Sequence, residues 1–513
     1  MPDKKLFTFA MMAEECWYGG AAVDGIHMPF TAESAFHRSL DPNETTNQAA
    51  PLLVSNRGRY IACSSGFDLT IENGTIAIAS SKGVPVLYDG YETLRGAYMA
   101  ACSRLFPPNG QCVPDAFFDI QFNSWIELTY HQTQENILRF ARGIEENGFP
   151  CSVFMIDDGW SESYGNWKFH SGKFPDPKGM IDELHGYGYK VMLWVCPFVT
   201  CDTQEFRYCM EQGLLVQEED KSPSVKKWWN GYSAVLDLSN PRAVDWLKGQ
   251  LDALISDYGV DGFKFDAGDA SFYSDGDRTA GNVTANEQSE LWARFAENYR
   301  YNELRACFKR GARPLVQRQC DKLNEWGEDG IASIVPCGLA QGIIGSLYSC
   351  PDMIGGGNYL SFTEERIRNA DRELFVRYAQ IAALMPMMQF SAAPWRALDE
   401  SSLAIVRECV ALHRRYRDYI LETAHRAASS GEPMLRYLEY EFPHEGLARV
   451  IDQFMLGDRL LVCPVLKSGA RSRRVVLPSG RWKGFDGALY EGGQTLEVSA
   501  GLSVLPYFER ADK

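Results

Sequence analysis

The centre of this chain, from about residue 116 to about residue 430, alternates short apolar runs with segments that have the hydrophobic spacing of helices. The predicted helices span 134–146, 179–187, 242–258 and 287–309, and the predicted strands include 152–156, 190–195 and a short strand that begins at Val260. Such alternation is typical of a parallel sheet in which a helix follows each strand, either a (β/α)8 barrel or a doubly wound sheet. The pattern therefore predicts an α/β domain.

The sequence on either side of this region has a different pattern. Before residue 116, short alternating segments such as 52–62 and 69–78 are separated by turn residues, which is typical of an all-β sandwich. After residue 430 the chain returns to strand-like segments, among them 454–462 and 474–480. We therefore predict an N-terminal β-sandwich at 1–115, the α/β domain at 116–430 and a small C-terminal β-sandwich at 431–513.

Charge and cysteine content argue against several classes of protein. The chain of 513 residues has a formal net charge of −16 and no basic run, so neither nucleic acid nor an anionic membrane is an expected partner. No apolar segment is long enough to span a membrane, and the apolar run 6–13, followed by Glu14 and Glu15, resembles a signal peptide only faintly. The 14 cysteines are scattered without a CxxC pair, as expected of reduced thiols in a cytoplasmic protein.

The predicted strand that begins at Val260 ends in charged residues. Because successive side chains of a strand point to opposite faces, Lys264 and Asp266 are expected on one face and Phe263 and Phe265 on the other. A lysine two residues before an aspartate can lower the pKa of that aspartate and keep it ionised. Taken alone, the pair fits a structural ion pair as well as a functional site.

Other apolar runs of the central region also end in polar or aromatic side chains. The run 153–156 precedes Asp157 and Asp158, the run 191–195 carries Trp194, the run 315–317 leads to Arg318 and Asp321, and the run 343–348 leads to Asp352. In a (β/α)8 barrel the carboxyl ends of the strands form the active-site face. The pattern predicts a polar pocket with an aromatic floor at that face.

Most motifs of other catalytic classes are missing. The sequence contains no HExxH pair, no GxxxxGK[ST] loop and no GxSxG elbow, so no metal or other cofactor is expected, although magnesium bound by aspartates alone is left open. Pairs of carboxylates remain, and the reaction that they serve best is cleavage of a glycosidic bond.

Several ordered motifs resemble those of one enzyme family. They are Trp17–Gly20, Met155–Trp160 followed by Lys173–Pro175, Leu193–Phe198, Phe263–Gly268, Pro351–Gly356, Met387–Ser391 with Pro394–Arg396, and Asp452–Asp458 followed by Cys463–Val465. Together they cover nearly the whole chain, which resembles glycoside hydrolase family 31 and most of all its α-galactosidase-like branch, the one that contains myogenesis-regulating glycosidase. The resemblance implies a (β/α)8 TIM barrel flanked by two β-sandwiches.

The resemblance also implies a role for each residue at the strand ends. Asp266 matches the nucleophile of a retaining mechanism, and Asp321 matches the general acid/base. The residues that match substrate-binding positions are Asp157, Asp158, Trp194, Lys264, Arg318, Trp326 and Asp352. The implied function is that of a retaining exo-α-glycosidase that works by double displacement on a terminal α-linked sugar of an oligosaccharide or other glycoside.

Two departures from the family pattern bear on the sugar. Most α-glucosidases of the family have Trp-x-Asp-Met-Asn-Glu at the nucleophile, where this chain has Lys264-Phe265-Asp266-Ala267-Gly268-Asp269, and a histidine where this chain has Gln389-Phe390-Ser391. The Lys-x-Asp and Asp-Asp-Gly-Trp motifs resemble those of α-galactosidases, so we expect α-galactosidase activity.

Several alternatives are open at this point. The same residues could serve an α-glucosidase, an α-xylosidase, a sulfoquinovosidase or a transglycosylase, and a non-enzymatic carbohydrate-binding protein would keep the fold without the activity. Asp321 could instead cap a helix and Asp158 a turn. Trp228 and Trp229 could form a sugar platform at the pocket rim or could be packing residues, and Asp269 is expected to be a loop residue. Assembly into a homo-oligomer is left open.

Overall fold

The computed structural model describes residues 4–274, 276–367 and 370–511. The N-terminal elements are β1 Lys5–Ala10, β2 Trp17–Ala21, β3 Phe36–Ser39, β4 Ala49–Ser55, β5 Tyr60–Ala62, β6 Asp68–Glu72, β7 Thr75–Ser80, β8 Val86–Tyr88 and the helix α1 Leu94–Leu105. The strands form two four-stranded antiparallel sheets, with the orders β1-β7-β6-β3 and β2-β4-β5-β8. Alternate residues of β7, including Ile76 and Ile78, are buried. The predicted N-terminal β-sandwich is confirmed.

The central part contains the barrel. Its elements are β9 Ile120–Asn123, α2 Trp125–Leu128, α3 Gln134–Glu146, β10 Val153–Ile156, β11 Ser161–Ser163, β12 Asn166–Phe169, α4 Pro177–Gly186, β13 Lys190–Val195, β14 Phe198–Thr200, α5 Gln204–Gln212, β15 Val225–Trp228, β16 Gly231–Val235, α6 Pro241–Tyr258, β17 Gly262–Phe265, α7 Ala285–Ala296, β18 Tyr301–Leu304, β19 Val316–Arg318, α8 Ile334–Ile343, β20 Tyr348–Cys350, α9 Glu364–Ile367, α10 Arg372–Ala383, β21 Met388–Phe390, α11 Pro394–Ala397, α12 Glu400–Arg415 and α13 Arg417–Ser430.

Eight of these strands form one parallel sheet in the order β20-β19-β18-β17-β13-β10-β9-β21. The strands β9 to β20 follow the order of the chain, and β21 returns to pair with β9, so the sheet curves into a nearly closed barrel. Strands such as β10 and β17 are buried along their whole length, as expected where helices cover a parallel sheet. The predicted TIM barrel is confirmed.

Two elements of the barrel differ from the prediction. The helix predicted over 287–309 ends at Ala296, and the strand β18 follows it. The run 343–348 is not a strand: α8 extends to Ile343, and β20 begins only at Tyr348. Both errors have the same cause, because short strands lack the length and the alternation that would separate them from an adjoining helix.

The C-terminal part is a second β domain. Its elements are β22 Leu435–Arg436, α14 Leu438–Glu441, β23 Phe454–Leu456, β24 Leu460–Val462, β25 Ser472–Leu477, β26 Arg481–Gly484, β27 Leu489–Glu491, β28 Gln494–Ser499 and β29 Tyr507–Arg510. A six-stranded sheet, β22-β23-β24-β29-β26-β27, and the pair β25-β28 enclose a cluster that includes Leu461, Trp482 and Phe508. The predicted C-terminal sandwich is confirmed.

The N-terminal sandwich packs directly on the barrel. The helix α8 is buried along its whole length, and one of its faces lies against the N-terminal 3-10 turn Ala22–His27. The approach is so close that a Cβ atom on Gly25 would lie 2.2 Å from the carbonyl oxygen of Pro336. One continuous hydrophobic cluster joins the two parts, so the sandwich is fixed beside the barrel strands that carry the polar residues.

Candidate active site

A cavity of about 520 Å³ opens at the carboxyl ends of the barrel strands. Seven of the nine residues predicted for the site line it: Asp157, Asp158, Trp194, Lys264, Asp266, Arg318 and Asp321. Aromatic side chains surround its mouth, and Thr46 reaches it from the N-terminal sandwich. The strand ends therefore bring the predicted polar residues to one place, as the barrel topology requires.

Asp266 follows the last residue of β17 and faces this cavity. The aromatic rings of Phe263 and Phe265 point the other way and pack on Tyr299, so the expected alternation holds. The carboxylate of Asp266 accepts a hydrogen bond from Nε1 of Trp194 at 3.0 Å and another from Nε of Arg305 at 3.0 Å. These bonds fix both oxygens of the carboxylate.

Electrostatics keep Asp266 ionised. Burial alone would raise the pKa of this carboxyl, but the positive charges of Arg305, Lys264 and Arg318 outweigh burial, and the indole of Trp194 adds a hydrogen bond. The pKa of Asp266 is therefore well below its usual range. A carboxylate that is ionised and fixed in place suits nucleophilic attack.

The backbone after Asp266 is strained. Ala267 has a φ of 57°, which is rare for a residue with a side chain, and its amide donates to Oδ1 of Asp266 at 2.9 Å. At the next position a Cβ atom on Gly268 would lie 2.0 Å from Cδ1 of Trp292. This close packing explains the glycine and holds the unusual turn, as is common at functional sites.

Lys264 has a different partner from the one expected. Its Nζ donates to Oδ2 of Asp157 at 2.7 Å, and both side chains are buried. Burial would lower the pKa of Lys264, but the surrounding negative charges, that of Asp157 foremost, together outweigh burial, and the pKa is raised. The expected Lys264–Asp266 pair is thus replaced by Lys264–Asp157, although Lys264 still acts on Asp266 through its charge.

Asp158 has one oxygen bound and one free. Its Oδ2 accepts hydrogen bonds from Tyr164 at 3.1 Å and from Nδ2 of Asn230 at 2.7 Å. Its Oδ1 is buried in the cavity wall and has no partner among the described residues. Burial and the neighbouring charge of Asp157 raise the pKa of Asp158 to about 7. A buried carboxyl oxygen without a partner is available to a ligand.

The sequence prediction missed Arg305 and dismissed Asp269. Arg305 directly follows β18 and donates to both oxygens of Asp269, at 2.9 Å from Nη1 and 2.6 Å from Nη2. The same guanidinium binds Asp266, so it joins the two carboxylates. Asp269 does lie in a loop, as predicted, directly before the 3-10 turn Ala270–Phe272, but its buried carboxylate is paired with Arg305 and lines the cavity.

A second arginine organises the opposite side of the cavity. Nη1 of Arg318 donates to Oδ1 of Asp321 at 2.9 Å and to Oδ1 of Asp352 at 2.6 Å. Asp352 is fully buried and does not line the cavity; it lies behind Arg318 and accepts hydrogen bonds from the backbone amides of Lys322 and Gly357. Burial raises the pKa of Asp352 to about 6, and the charge of Asp321 adds to that effect against the opposing charge of Arg318.

The glycine run that follows Asp352 is a consequence of this packing. A Cβ atom on Gly357 would lie 2.7 Å from Cγ of Asp321, and one on Gly356, whose φ is 100°, would lie 2.5 Å from the carbonyl oxygen of Lys322. The loop therefore presses against the segment that carries Asp321. The side chain of Asp321 remains 47% exposed and lines the cavity.

Two further residues that the sequence analysis singled out, Trp326 and Gln389, have distinct surroundings. Trp326 donates from its indole to Asp371 at 2.8 Å and is not among the residues that line the cavity. Gln389 is a buried amide that donates to Oε2 of Glu303 at 2.7 Å. Glu303 in turn lies 3.5 Å from Arg318. Gln389 therefore supports the arginine from inside the barrel.

The two consecutive tryptophans of the β15–β16 hairpin separate into two roles. Trp228 is 5% exposed and packs on Phe198 and Tyr164, whereas Trp229 is 49% exposed and lines the mouth of the cavity. The ring of Trp229 lies 5.5 Å from the guanidinium of Arg305. Trp228 is therefore a packing residue, and of the two only Trp229 is placed where a sugar platform at the pocket rim would lie.

The described residues contain neither a metal-binding cluster nor a membrane-spanning helix. Over 4–274, 276–367 and 370–511, no group of three or more His, Cys, Asp or Glu side chains is arranged to hold a metal ion. Across the same ranges, no helix has the length and apolar character needed to cross a membrane. Five carboxyl groups of the described residues line the cavity, and two of them, Asp266 and Asp321, are each held by a different arginine. Enzymes that cleave glycosidic bonds use a pair of carboxyl groups.

Comparison with known proteins agrees with this chemistry. The TIM-barrel domain model of glycosyl hydrolases family 31 matches residues 112–423, and the C-terminal domain model of the same family matches residues 431–513. The chain is 35% identical over 412 residues to myogenesis-regulating glycosidase of Mus musculus, which covers 77% of this chain and 56% of that protein. It thus spans little more than half the length of that relative.

Solved structures have the same fold. The family 31 dextranase of Flavobacterium johnsoniae in complex with glucose superposes with a TM-score of 0.86 at 20% identity, over 100% of this chain and 67% of that chain. A family 31 α-xylosidase from a soil metagenome in complex with xylose gives a TM-score of 0.85 at 22% identity, over 99% of this chain and 80% of that chain. The sequence matches and the shared fold lead to one assignment: this chain belongs to glycosyl hydrolase family 31.

Proposed function

We propose that the protein is a retaining α-glycosidase whose preferred terminal sugar is galactose. The observation that carries the proposal is the pair formed by Asp266, ionised and bound at both oxygens, and Asp321, half-exposed in the same cavity. Asp266 attacks the anomeric carbon while Asp321 protonates the leaving oxygen. This step leaves the sugar bonded to Asp266. Asp321 then takes a proton from a water molecule whose oxygen attacks the same carbon, the bond to Asp266 breaks, and the sugar is released with its configuration retained.

The surrounding groups prepare these two residues for their roles. Arg305 and Trp194 orient the carboxylate of Asp266 and leave it charged but with few of the water contacts that would weaken its attack. Arg318 holds the carboxyl group of Asp321 at a fixed place through a rigid guanidinium that Asp352 orients from behind.

The charges of the cavity favour a neutral sugar. Among the described residues, three cations line it and all are paired: Lys264 with Asp157, Arg305 with Asp266 and Asp269, and Arg318 with Asp321 and Asp352. A sulfonate or carboxylate on the sugar would need a cation that is not already neutralised. We therefore expect lower kcat/KM for sulfoquinovosides and uronides than for neutral glycosides.

The position of Asp158 favours a hexose. Its unpartnered Oδ1 can accept a hydrogen bond from a sugar hydroxyl, and the same pocket wall holds the Asp157–Lys264 pair, which can bind a second hydroxyl from the other side. A pentose such as xylose has no C6 hydroxyl, so one of these protein groups would be left without a hydrogen bond to the sugar. Galactose is proposed over glucose because the Lys264-Phe265-Asp266 and Asp157-Asp158-Gly159-Trp160 motifs resemble those of α-galactosidases.

A panel of 4-nitrophenyl α-glycosides tests the sugar. We expect the highest kcat/KM for the α-galactoside, lower values for the α-glucoside and α-xyloside, and no turnover of any by the Asp266→Asn variant. Turnover of the α-xyloside or α-glucoside in preference to the α-galactoside would contradict the choice of sugar. NMR of the first product tests the mechanism, because β-galactose as initial product would contradict retention. Product analysis at high acceptor concentration separates hydrolysis from glycosyl transfer.

We also propose that the protein works in a reducing compartment, such as the cytoplasm. All 14 cysteines are free thiols, and ten of them are buried. Thiol titration of the protein purified without reductant tests the proposal: 14 thiols after denaturation are expected, and a lower number that reductant restores would contradict it.

A further inference from the structure

One segment of the N-terminal sandwich reaches the barrel strands that carry the two arginines. Ala49, the first residue of β4, forms a backbone bridge with Phe308, and three residues earlier the carbonyl of Thr46 accepts a hydrogen bond from Nη1 of Arg305. Between them lies Gln48, which is 2% exposed. The segment is therefore in direct contact with the candidate active site, although it belongs to another domain.

The side chain of Gln48 joins two barrel strands. Its Nε2 donates to the carbonyl oxygen of Arg305 at 2.8 Å and to the carbonyl oxygen of Arg318 at 2.8 Å. Its Oε1 accepts from Nε2 of Gln341 at 2.9 Å, which fixes the orientation of the amide. Both donor hydrogens and the acceptor are thus used, and each strand receives one bond.

These two bonds begin where the β-ladder ends. The ladder of β18 and β19 pairs Glu303 with Val316 and Leu304 with Gln317, and Arg305 and Arg318 are the next residues of the two strands. Arg318 still pairs with Cys350 of β20, but the register of β18 with β19 does not extend to Arg305 and Arg318. The amide of Gln48 spans them at that point.

The spacing of the strand ends decides the spacing of the two reacting carboxyl groups. The side chain of Arg305 holds Asp266, and the side chain of Arg318 holds Asp321. A shift of one strand end relative to the other would move the nucleophile relative to the proton donor. In retaining glycosidases this separation is narrow, about 5–5.5 Å, and it is wider in inverting ones.

We propose that Gln48 is a positioning residue that sets the distance between the nucleophile and the acid/base, so that the N-terminal sandwich is part of the catalytic apparatus. This inference rests on the proposed glycosidase function. Gln48 has no contact with substrate in this role, and it acts through the backbone of Arg305 and Arg318.

The test compares Gln48→Met with a matched control. Methionine keeps the volume and removes the hydrogen bonds. Gln453 in the C-terminal domain is also a buried glutamine, 1% exposed, and its side chain bonds both the N–H and the carbonyl of Val476. Gln453→Met therefore removes similar bonds far from the site. Melting temperatures of both variants show how much each destabilises the fold.

The decisive readout is the dependence on the leaving group. Each variant is assayed with the sugar that the wild type prefers, attached either to 2,4-dinitrophenol, which leaves without a proton, or to an alkyl or sugar alcohol, which needs one. We expect Gln48→Met to lower kcat/KM for the alkyl or sugar leaving group by about 10²-fold, the scale of an ångström of misplacement. The dinitrophenyl glycoside is expected to lose less, since acid assistance contributes only to poor leaving groups.

Several outcomes would overturn the inference. Equal losses with both leaving groups, or losses no larger than those of Gln453→Met, would mean that Gln48 only stabilises the fold. If Gln48→Met does not fold, the same comparison is made with Gln48→Asn, which keeps the amide but is one methylene too short to reach both carbonyls. A wild type that turns over no α-glycoside would overturn the proposed function itself, which is a distinct result.

Discussion

Arg305 donates from Nε to Oδ1 of Asp266 at 3.0 Å while its Nη1 and Nη2 bind Asp269. The arginine therefore compensates two buried carboxylates at once, and its charge is the largest of those that lower the pKa of Asp266. We expect Arg305→Gln to raise the pKa of Asp266, because the opposing effect of burial remains when the cation is lost.

The change is visible in the pH profile of kcat/KM. The proposed nucleophile must be ionised, so a raised pKa moves the acid limb of the profile to higher pH, by at least about one unit if the arginine acts as nearby opposite charges usually do. Arg305→Lys keeps the charge and is the control, with a smaller shift expected. An acid limb that is unchanged in Arg305→Gln would contradict the electrostatic role.

Because Asp321 is half-exposed, its substitution should lower activity without destabilising the fold. We expect Asp321→Asn to lower kcat/KM for α-glycosides of poor leaving groups by about 10²- to 10⁴-fold, with a much smaller loss for a dinitrophenyl glycoside. Because the side chain is 47% exposed, the melting temperature should hardly change. With the dinitrophenyl substrate the second step also lacks its base, so mass spectrometry should detect a protein carrying one glycosyl unit. Equal losses for all leaving groups would contradict the acid/base assignment.

Asp158 makes the folded protein less stable as the pH rises, whereas a carboxylate in an ordinary ion pair makes it more stable. The Asp158 pKa of about 7 in the folded protein is higher than the unfolded value, so the folded state binds the extra proton. The contribution of Asp158 to the free energy of unfolding is fully present below the pKa of the unfolded state, about 3.9. It is lost as the pH rises through the pKa of the folded state, about 7. We expect Asp158→Asn to remove this dependence and to make the protein more stable than the wild type at pH 8.

The measurement is the free energy of unfolding of both proteins at pH 5.5 and pH 8. The difference between the two proteins should change by one to a few kcal/mol between these pH values, since a full pKa unit corresponds to about 1.4 kcal/mol. Comparing the two proteins cancels the contribution of other groups that titrate in this range, such as Asp352. A difference that is the same at both pH values would contradict the raised pKa.

The neighbouring tryptophans Trp228 and Trp229 provide a matched pair. Trp228→Ala removes a buried ring that packs on Phe198 and should lower the free energy of unfolding by about 3–5 kcal/mol. Trp229→Ala removes a ring that is half exposed above Arg305 and should affect stability little while lowering kcat/KM. Chemical denaturation and steady-state kinetics of both variants check this. Loss of stability in Trp229→Ala without loss of activity would contradict its place at the pocket mouth.

The sequence predicted the pocket from features that are local. Strand runs end where a polar residue follows, and barrel topology then requires those ends to meet, which is why Asp157, Trp194, Lys264, Asp266 and Asp321 were found. No distant contact had to be known for these predictions. The roles of these residues stay predictions until variants are measured.

The sequence could not predict contacts that depend on an unrecognised strand. β18 is short, and two of its four residues, Asn302 and Glu303, are buried polar groups, so it has neither an apolar run nor regular alternation. Without it, Arg305 had no place in the barrel and no partner could be given to Asp269, which was expected to be a loop residue. Lys264 was assigned to Asp266 from their spacing on one strand, whereas its partner Asp157 follows another strand. The position of Trp326 depends likewise on a side-chain bond to Asp371, 45 residues away in sequence.

The bonds of Gln48 have a consequence for how this protein acquires its activity during synthesis and refolding. They join residues that are 257 and 270 positions apart, and contacts of such separation form late because a long loop must close first. In a growing chain the sandwich segment emerges well before β18 and β19 and is already available when they arrive. On refolding from denaturant no such order is imposed. The circular dichroism of the helices should therefore return before enzymatic activity does. Molecules in which the N-terminal sandwich packs wrongly on the barrel should be folded but inactive.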